Sequence, residues 1–211
     1  MARKTTPNNR KINLHYERKA ADDGYKLVAG IDEAGRGCLA GPVAAAAVIV
    51  LDAGFEERID DSKKLTSRMR EKAYIDILKR CHVGIGIASI EEIDRLNILN
   101  ATLLAMKRAI NELDKRPDYL LIDGKMDIHT SHDRTYLVGG EAKSASIACA
   151  SIIAKVFRDK LMTEMDKKYP QYGFKKHKGY GTAEHMEAIR RHGLSSVHRQ
   201  TFGPFGSKSS K

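Results

Sequence analysis

The sequence predicts an α/β body followed by a small, basic, helical C-terminal region. Three observations predict it. Short β-like apolar runs alternate with charged or amphipathic helical segments between residues 27 and 168. The long helical segment Ile90 to Leu113 leads through Arg116-Pro117 into the apolar run YLLID at 119–123, the order of a crossover between parallel neighbours. From Tyr169 onward the chain turns basic and aromatic, reading YPQYGFKKHKGYGT.

The elements follow in order. Residues 1–26 are polar and aperiodic and are expected to form a mobile basic arm. LVAGID (27–32) reads as a strand. VAAAAVIVL (43–51) is mixed, since its alanines favour helix while Val48-Ile49-Val50 favour strand, and its length decides for strand. Asp61 to Leu65 reads as a turn, and Thr66 is positioned to cap a helix that runs to Cys81. VGIGIAS (83–89) is the next strand. Between Ile90 and Leu113 the apolar residues Ile93, Leu96, Leu99, Leu103, Met106, Ile110 and Leu113 recur at helical spacing and predict one buried face. YLLID ends at Gly124, TYLVG (135–139) is a further strand, and a long helix spans about Ser144 to Lys168. Thr182 is placed to cap AEHMEAIRRH, which carries Glu184 in its first turn, Arg190-Arg191-His192 in its last, and Gly193 at its end. The closing GSKSSK reads as a flexible tail. The chain thus divides into an arm (1–26), a body (27–168) and a basic helical region (169–211).

Composition bounds the function. The chain has 211 residues, 42% of them hydrophobic, which suits a globular protein rather than a disordered one. Its net charge of +10 is uneven: +4 over residues 1–26, +8 over 155–211, and −2 over the stretch between. A near-neutral, carboxylate-containing body with basic ends suits a polyanionic partner, although solubility alone would also be served. The longest apolar run, Pro42 to Leu51, is too short to span a bilayer, and no signal-peptide pattern opens the chain. Three cysteines without C-x-x-C spacing point to a reduced interior, with Cys81 and Cys149 as small core residues. The expectation is a cytoplasmic, monomeric protein with no membrane segment.

Apolar runs end in acids twice, at Asp32-Glu33 and at Asp123. Any one such acid is more often a structural turn residue than a ligand. Neighbouring strand residues point to opposite faces, so Asp32 and Glu33 converge only where the strand ends or bulges, an irregularity that Gly35 and Gly37 permit. If the two strands lie side by side, Asp32 and Asp123 face each other across about 5 Å. Such a pair calls for a cation, and all-oxygen ligation favours Mg2+ or Mn2+. Beside a basic surface, the matching substrate is a phosphodiester, on which two divalent ions can support in-line displacement.

The stretch GRGCLAGP (35–42) is not a dinucleotide loop: its glycines are spaced one residue too widely and a strand-like run follows them. Gly35-Arg36-Gly37 instead offers backbone N–H groups and a planar guanidinium to a nucleic-acid backbone at close approach, with an Arg36–Glu33 surface ion pair as the simpler alternative. Lys63 can reach a phosphate or face solvent. Tyr180, between two glycines, can stack on a sugar or base or cap a core.

Taken in order, IDEAGRG, DSKKL, LLIDG, SIACASIIAKVFRD and HKGYGT closely resemble ribonuclease HII, from about Leu27 to Pro204. The resemblance implies an RNase H-like mixed five-stranded sheet flanked by helices, with a small helical C-terminal region. It implies a metal-dependent endonuclease that hydrolyses the RNA strand of RNA–DNA hybrids and cuts 5′ of ribonucleotides embedded in duplex DNA, leaving 3′-hydroxyl and 5′-phosphate ends. Asp32, Glu33 and Asp123 match its metal-binding catalytic carboxylates. Gly35, Arg36 and Gly37 match the loop that reads the ribose 2′-hydroxyl, and Tyr180 matches the ring that stacks on the following deoxyribose. One position departs: the family usually has Asp before the long helix, where this chain has Glu141, in GGEAKS. Glu141 is retained as the matching ligand, its extra methylene bearing on the second metal. The related ribonuclease HIII usually carries an extra N-terminal domain for which residues 1–26 are too short, and the GRG and GYGT motifs also favour the HII type. Two other classes remain open on the sequence alone: a nucleic-acid-binding protein without catalysis, and a metal-dependent transferase of similar fold.

Overall fold

The computed structural model describes residues 12–203. The expected tail GSKSSK and the first eleven residues of the expected arm lie outside the described residues.

Five strands form one mixed sheet in the order β3-β2-β1-β4-β5: β1 (Val28–Ala34), β2 (Val43–Val50), β3 (Cys81–Ala88), β4 (Tyr119–Asp123) and β5 (Asp133–Leu137). β2 runs antiparallel to both β1 and β3, and β4 is parallel to β1 and β5. Before the sheet comes α1 (His15–Asp22); α2 (Ser67–Arg80), α3 (Ile90–Asn111) and α4 (Ala145–Lys168) flank it; α5 (Phe174–His177) and α6 (Ala183–His192) form the C-terminal region. The predicted α/β class and the mixed five-stranded sheet are both present.

β2 resolves as a strand because it lies second in the sheet with both faces covered. Ala44, Ala45, Ala46 and Ala47 are all fully buried, alternating between α3 on one side and α4 on the other. Their small side chains let both helices approach the sheet. β3 does the same with glycine: a Cβ on Gly84 would lie 2.1 Å from the Ala109 carbonyl oxygen, and one on Gly86 would lie 2.0 Å from that of Ala105.

This close seat corrects the predicted face of α3. Small residues, Ala101, Ala105 and Ala109, join Ile93, Met106 and Ile110 against the sheet, whereas Leu99 is 46% exposed. The cause is local. Asn97 adopts φ 66°, ψ 167°, which breaks the helical phase, and its side chain accepts from the Asn100 N–H to restart the helix.

The helix caps follow the sequence. Thr66 accepts from the Met69 N–H at 3.3 Å and Thr182 from the His185 N–H at 3.3 Å. β1 extends past Asp32 through Glu33 and Ala34, so the paired acids sit inside the strand's last turn of pleat rather than after it.

The expected mobile arm is also corrected. His15–Asp22 form α1, fixed to the body by a carboxylate: Glu17 Oε1 accepts from Ser144 Oγ at 2.5 Å, Ser146 N at 2.9 Å and Ser146 Oγ at 2.7 Å. An acid placed on the unsatisfied N–H groups of a 24-residue helix is a favourable charge–dipole arrangement, which the aperiodic local sequence does not announce.

Candidate active site

The site lies where β1 and β4 end. Ile31 pairs with Ile122, so the next rung sets Asp32 beside Asp123. Asp32 is 4% exposed and is reached by the Ser151 hydroxyl of α4. Asp123 Oδ1 accepts the Gly140 N–H at 2.7 Å, which ties it to the short turn Gly140–Ala142 ahead of α4. That turn carries Glu141, whose Oε1 accepts from Ser151 Oγ at 3.2 Å and stands 3.6 Å from Lys63 Nζ. Ser62 meets Ser151 at 3.0 Å, so the DSKKL turn is fastened to the same helix. Glu33 points to the opposite side of β1 from Asp32, yet at the strand end both carboxyl groups line one cleft of about 240 Å³.

The cleft is electrostatically unfavourable by itself. Burial pushes the Asp32 carboxyl well above its usual range, and the neighbouring Glu33, Asp123 and Glu141 push it further. Burial also raises Glu33, against the pull of Arg36, whose Nη1 lies 3.3 Å from Glu33 Oε1. The other Glu33 oxygen is buried and has no hydrogen-bond partner among the described residues. Oxygen-only donors that repel one another and leave a lone pair unsatisfied fit a hard divalent cation. Among the described residues no three Asp, Glu, His or Cys side chains stand as a ready-made ligand set. Glu33 is engaged by Arg36 and Glu141 by Lys63, so a cation would compete with those two side chains.

The Gly35–Gly37 loop closes one wall. Gly35 has φ +98°, and a Cβ there would lie 2.0 Å from Arg158 Nε, so glycine is needed for both conformation and space. Arg158 and Arg199 are each 1% exposed. Arg158 donates to the carbonyls of Pro42 (2.8 Å), Ala40 (3.0 Å) and Lys178 (2.9 Å). Arg199 donates to those of Gly41 (2.9 Å), Arg36 (2.9 Å) and Gly35 (2.7 Å). Burial, and then the nearby Arg158 charge, bring Arg199 down to about 10, still protonated at neutral pH.

Across the mouth stands Tyr180, 44% exposed. Its backbone is held by the C-terminal region: the carbonyl accepts from His185 Nδ1 at 2.9 Å, and the amide donates to the His177 carbonyl at 3.0 Å.

All nine residues singled out in the sequence, Asp32, Glu33, Gly35, Arg36, Gly37, Lys63, Asp123, Glu141 and Tyr180, line this one cleft. Sequence reasoning missed Ser62, Arg70, Ser151 and Lys155, which also line it, and the two buried arginines beneath its loop. Arg158 carried a signal, since it falls on the buried face of α4 at helical spacing from Ser151 and Ala154. Arg199 carried none, because its partners lie more than 150 residues earlier.

The family model described as ribonuclease HII matches residues 29–204. The chain belongs to the ribonuclease HII family. It is similar to the ribonuclease HII of Acetivibrio thermocellus, with 55% identity over 189 residues, covering 89% of this chain and 73% of that one. Among solved structures, ribonuclease H2 from Pyrococcus horikoshii OT3 superposes with TM-score 0.73 at 24% identity, over 85% of this chain and 95% of that chain. Bst-RNase HIII in complex with Mn2+ superposes with TM-score 0.66 at 18% identity, over 97% of this chain and 76% of that chain. These two likenesses show the fold. As a member of the ribonuclease HII family the chain is an endonuclease and a hydrolase, of the ribonuclease H type that acts on RNA–DNA hybrids. The binding-only and transferase readings therefore fall. Among the described residues no helix is long and apolar enough to cross a membrane.

Proposed function

We propose that this ribonuclease HII family member is a divalent-metal-dependent enzyme that cuts 5′ of ribonucleotides embedded in duplex DNA, as well as within RNA–DNA hybrids, leaving 3′-hydroxyl and 5′-phosphate ends. The observation that carries the proposal is the opening of the carboxylate cleft directly onto the Gly35–Gly37 loop. Bond cleavage and sugar recognition then fall on adjacent atoms of the substrate.

Asp32, Glu33, Asp123 and Glu141 would hold the metal, Mn2+ or Mg2+, as a pair of ions shared among four carboxylates; the Mn2+ complex of Bst-RNase HIII supports this choice. When bound, the metal supplies Lewis-acid stabilisation of charge that builds on the phosphate. The remaining work belongs to the chain. The Arg36 and Gly37 amides offer donors to the ribose 2′-hydroxyl, and the Arg36 guanidinium, 45% exposed, offers a fork to the adjacent phosphate. Tyr180 supplies an exposed ring for the neighbouring sugar, and Lys63, 82% exposed, reaches phosphate once released from Glu141. In the net reaction one water oxygen bonds to phosphorus while the bond from phosphorus to the upstream 3′-oxygen breaks, and the water's protons pass to that oxygen and to solvent.

Residues 27–168 would form the catalytic body, and residues 169–203 would face the duplex. Action as a monomer is part of the proposal. Cys38, Cys81 and Cys149 are all free thiols, which supports a cytoplasmic setting. The test is a nicking assay on duplex DNA containing one ribonucleotide, with Mn2+, Mg2+ or chelator. A metal-dependent nick with a 5′-phosphate on the ribonucleotide is expected; cleavage on its 3′ side, or cleavage in chelator, would overturn the proposal.

A further inference from the structure

We infer that Arg199, far from the carboxylates in sequence and out of reach of substrate, is the positioning residue that aims the Gly35–Gly37 amides at the ribose, and so sets discrimination between ribose and deoxyribose. The inference rests on the recognition reading above and adds a residue to it.

One buried guanidinium spends its donors on three loop carbonyls: Nη2 to Gly35 at 2.7 Å, Nη1 to Arg36 at 2.9 Å and Nε to Gly41 at 2.9 Å. In a trans peptide unit the carbonyl and the N–H point in opposite directions, and no cis unit occurs among the described residues. The Gly35 carbonyl shares its unit with the Arg36 N–H, and the Arg36 carbonyl shares its unit with the Gly37 N–H. Drawing both carbonyls inward onto Arg199 therefore turns both N–H groups outward. Among the described residues neither amide donates to a protein acceptor, so both are available to a ligand.

The fixing is rigid. Arg199 sits on a C-terminal segment that is itself clamped to the loop: its N–H donates to the Leu39 carbonyl at 2.9 Å, and the Gly41 N–H donates to the Val197 carbonyl at 2.8 Å. A charged donor buried to 1% exposure would be costly without this full set of acceptors, so the arginine and the loop conformation require each other. Two outward amides in a fixed relation suit a small hydroxyl acceptor, and preorganised donors avoid an ordering cost on binding.

Full-length protein is tested in chelator by measuring Kd for duplex DNA containing one ribonucleotide and for the same duplex without it. Wild type is expected to prefer the ribonucleotide. Arg199→Lys, which keeps the charge but loses the fork, should lower that preference about tenfold, the effect of roughly one charge-assisted hydrogen bond. Affinity for the all-DNA duplex should be unchanged, which general loss of structure would not spare. Wild-type preference retained in a folded Arg199→Lys overturns the inference and leaves the recognition reading standing. A wild type without preference overturns both. Where Arg199→Lys does not fold, amide hydrogen exchange on wild type decides. The Arg36 and Gly37 amides should exchange freely in the free protein and be protected by the ribonucleotide duplex but not by the all-DNA duplex. Equal protection by both duplexes overturns the recognition reading and the inference with it.

Discussion

Lys155 Nζ stands 5.8 Å from the centre of the Tyr180 ring, at the mouth of the carboxylate cleft. The lysine comes from α4 and the tyrosine from the loop before α6, so the body and the C-terminal region meet on this contact. A cation near an aromatic face holds the ring in place while leaving its other side to a sugar. Tyr180→Ala is expected to slow cleavage at a single embedded ribonucleotide about tenfold or more, the worth of one stacking contact, with a smaller loss in binding. Equal losses in both would show that the ring only packs. Tyr180→Phe should stay close to wild type.

Glu17 predicts a stability effect remote from the cleft. Its Oε1 takes three hydrogen bonds at the start of α4, the helix that carries Ser151 and Lys155. Glu17→Ala should cost about 1.5–3 kcal/mol, read as a lower urea midpoint with unchanged slope. An unchanged midpoint would mean that α1 is a passive attachment.

Much of this was legible in the sequence. Strand and helix order followed from apolar periodicity, and the caps at Thr66 and Thr182 from residue type. Asp32 and Asp123 were paired by supposing the two strands adjacent, and the register delivers it. What was hidden depends on tertiary contact. Leu99 belongs to the periodic apolar face, but Asn97 shifts the helical phase and the glycines of β3 draw the α3 backbone at Ala105 and Ala109 close to the sheet. α1 has no strong pattern, because its anchor is a carboxylate on another helix's end. Arg199 looked like one more charge in a basic tail, though it is spent on backbone carbonyls.

The C-terminal histidines predict a pH dependence of stability. Ser195 N–H donates to His198 Nδ1 at 3.0 Å, His198 Nε2 meets His185 Nε2 at 3.1 Å, and His185 Nδ1 donates to the Tyr180 carbonyl. This chain requires both rings neutral, and a further proton would set two N–H groups against each other. Burial first, then His185, lowers His198 from 6.5 to about 4. The folded state therefore binds the proton less readily than the unfolded state. Stability is full above pH 6.5 and falls as pH drops toward 4. Denaturation from pH 7.5 to 4.5 should show this slope, and His198→Gln should flatten it. A slope unchanged in the variant would assign the effect elsewhere.

The most direct measurement compares Asp32→Asn and Asp123→Asn with wild type on duplex DNA containing one ribonucleotide, with Mn2+ and Mg2+, scoring binding and cleavage separately. Loss of a metal-holding carboxylate should exceed the 10- to 100-fold effects of residues that merely support such ligands, so cleavage should fall by at least about a hundredfold. Binding should persist, because the Gly35–Gly37 loop and Tyr180 remain. Turnover close to wild type in either variant would contradict the assignment of the β1 and β4 strand ends as the metal-holding site.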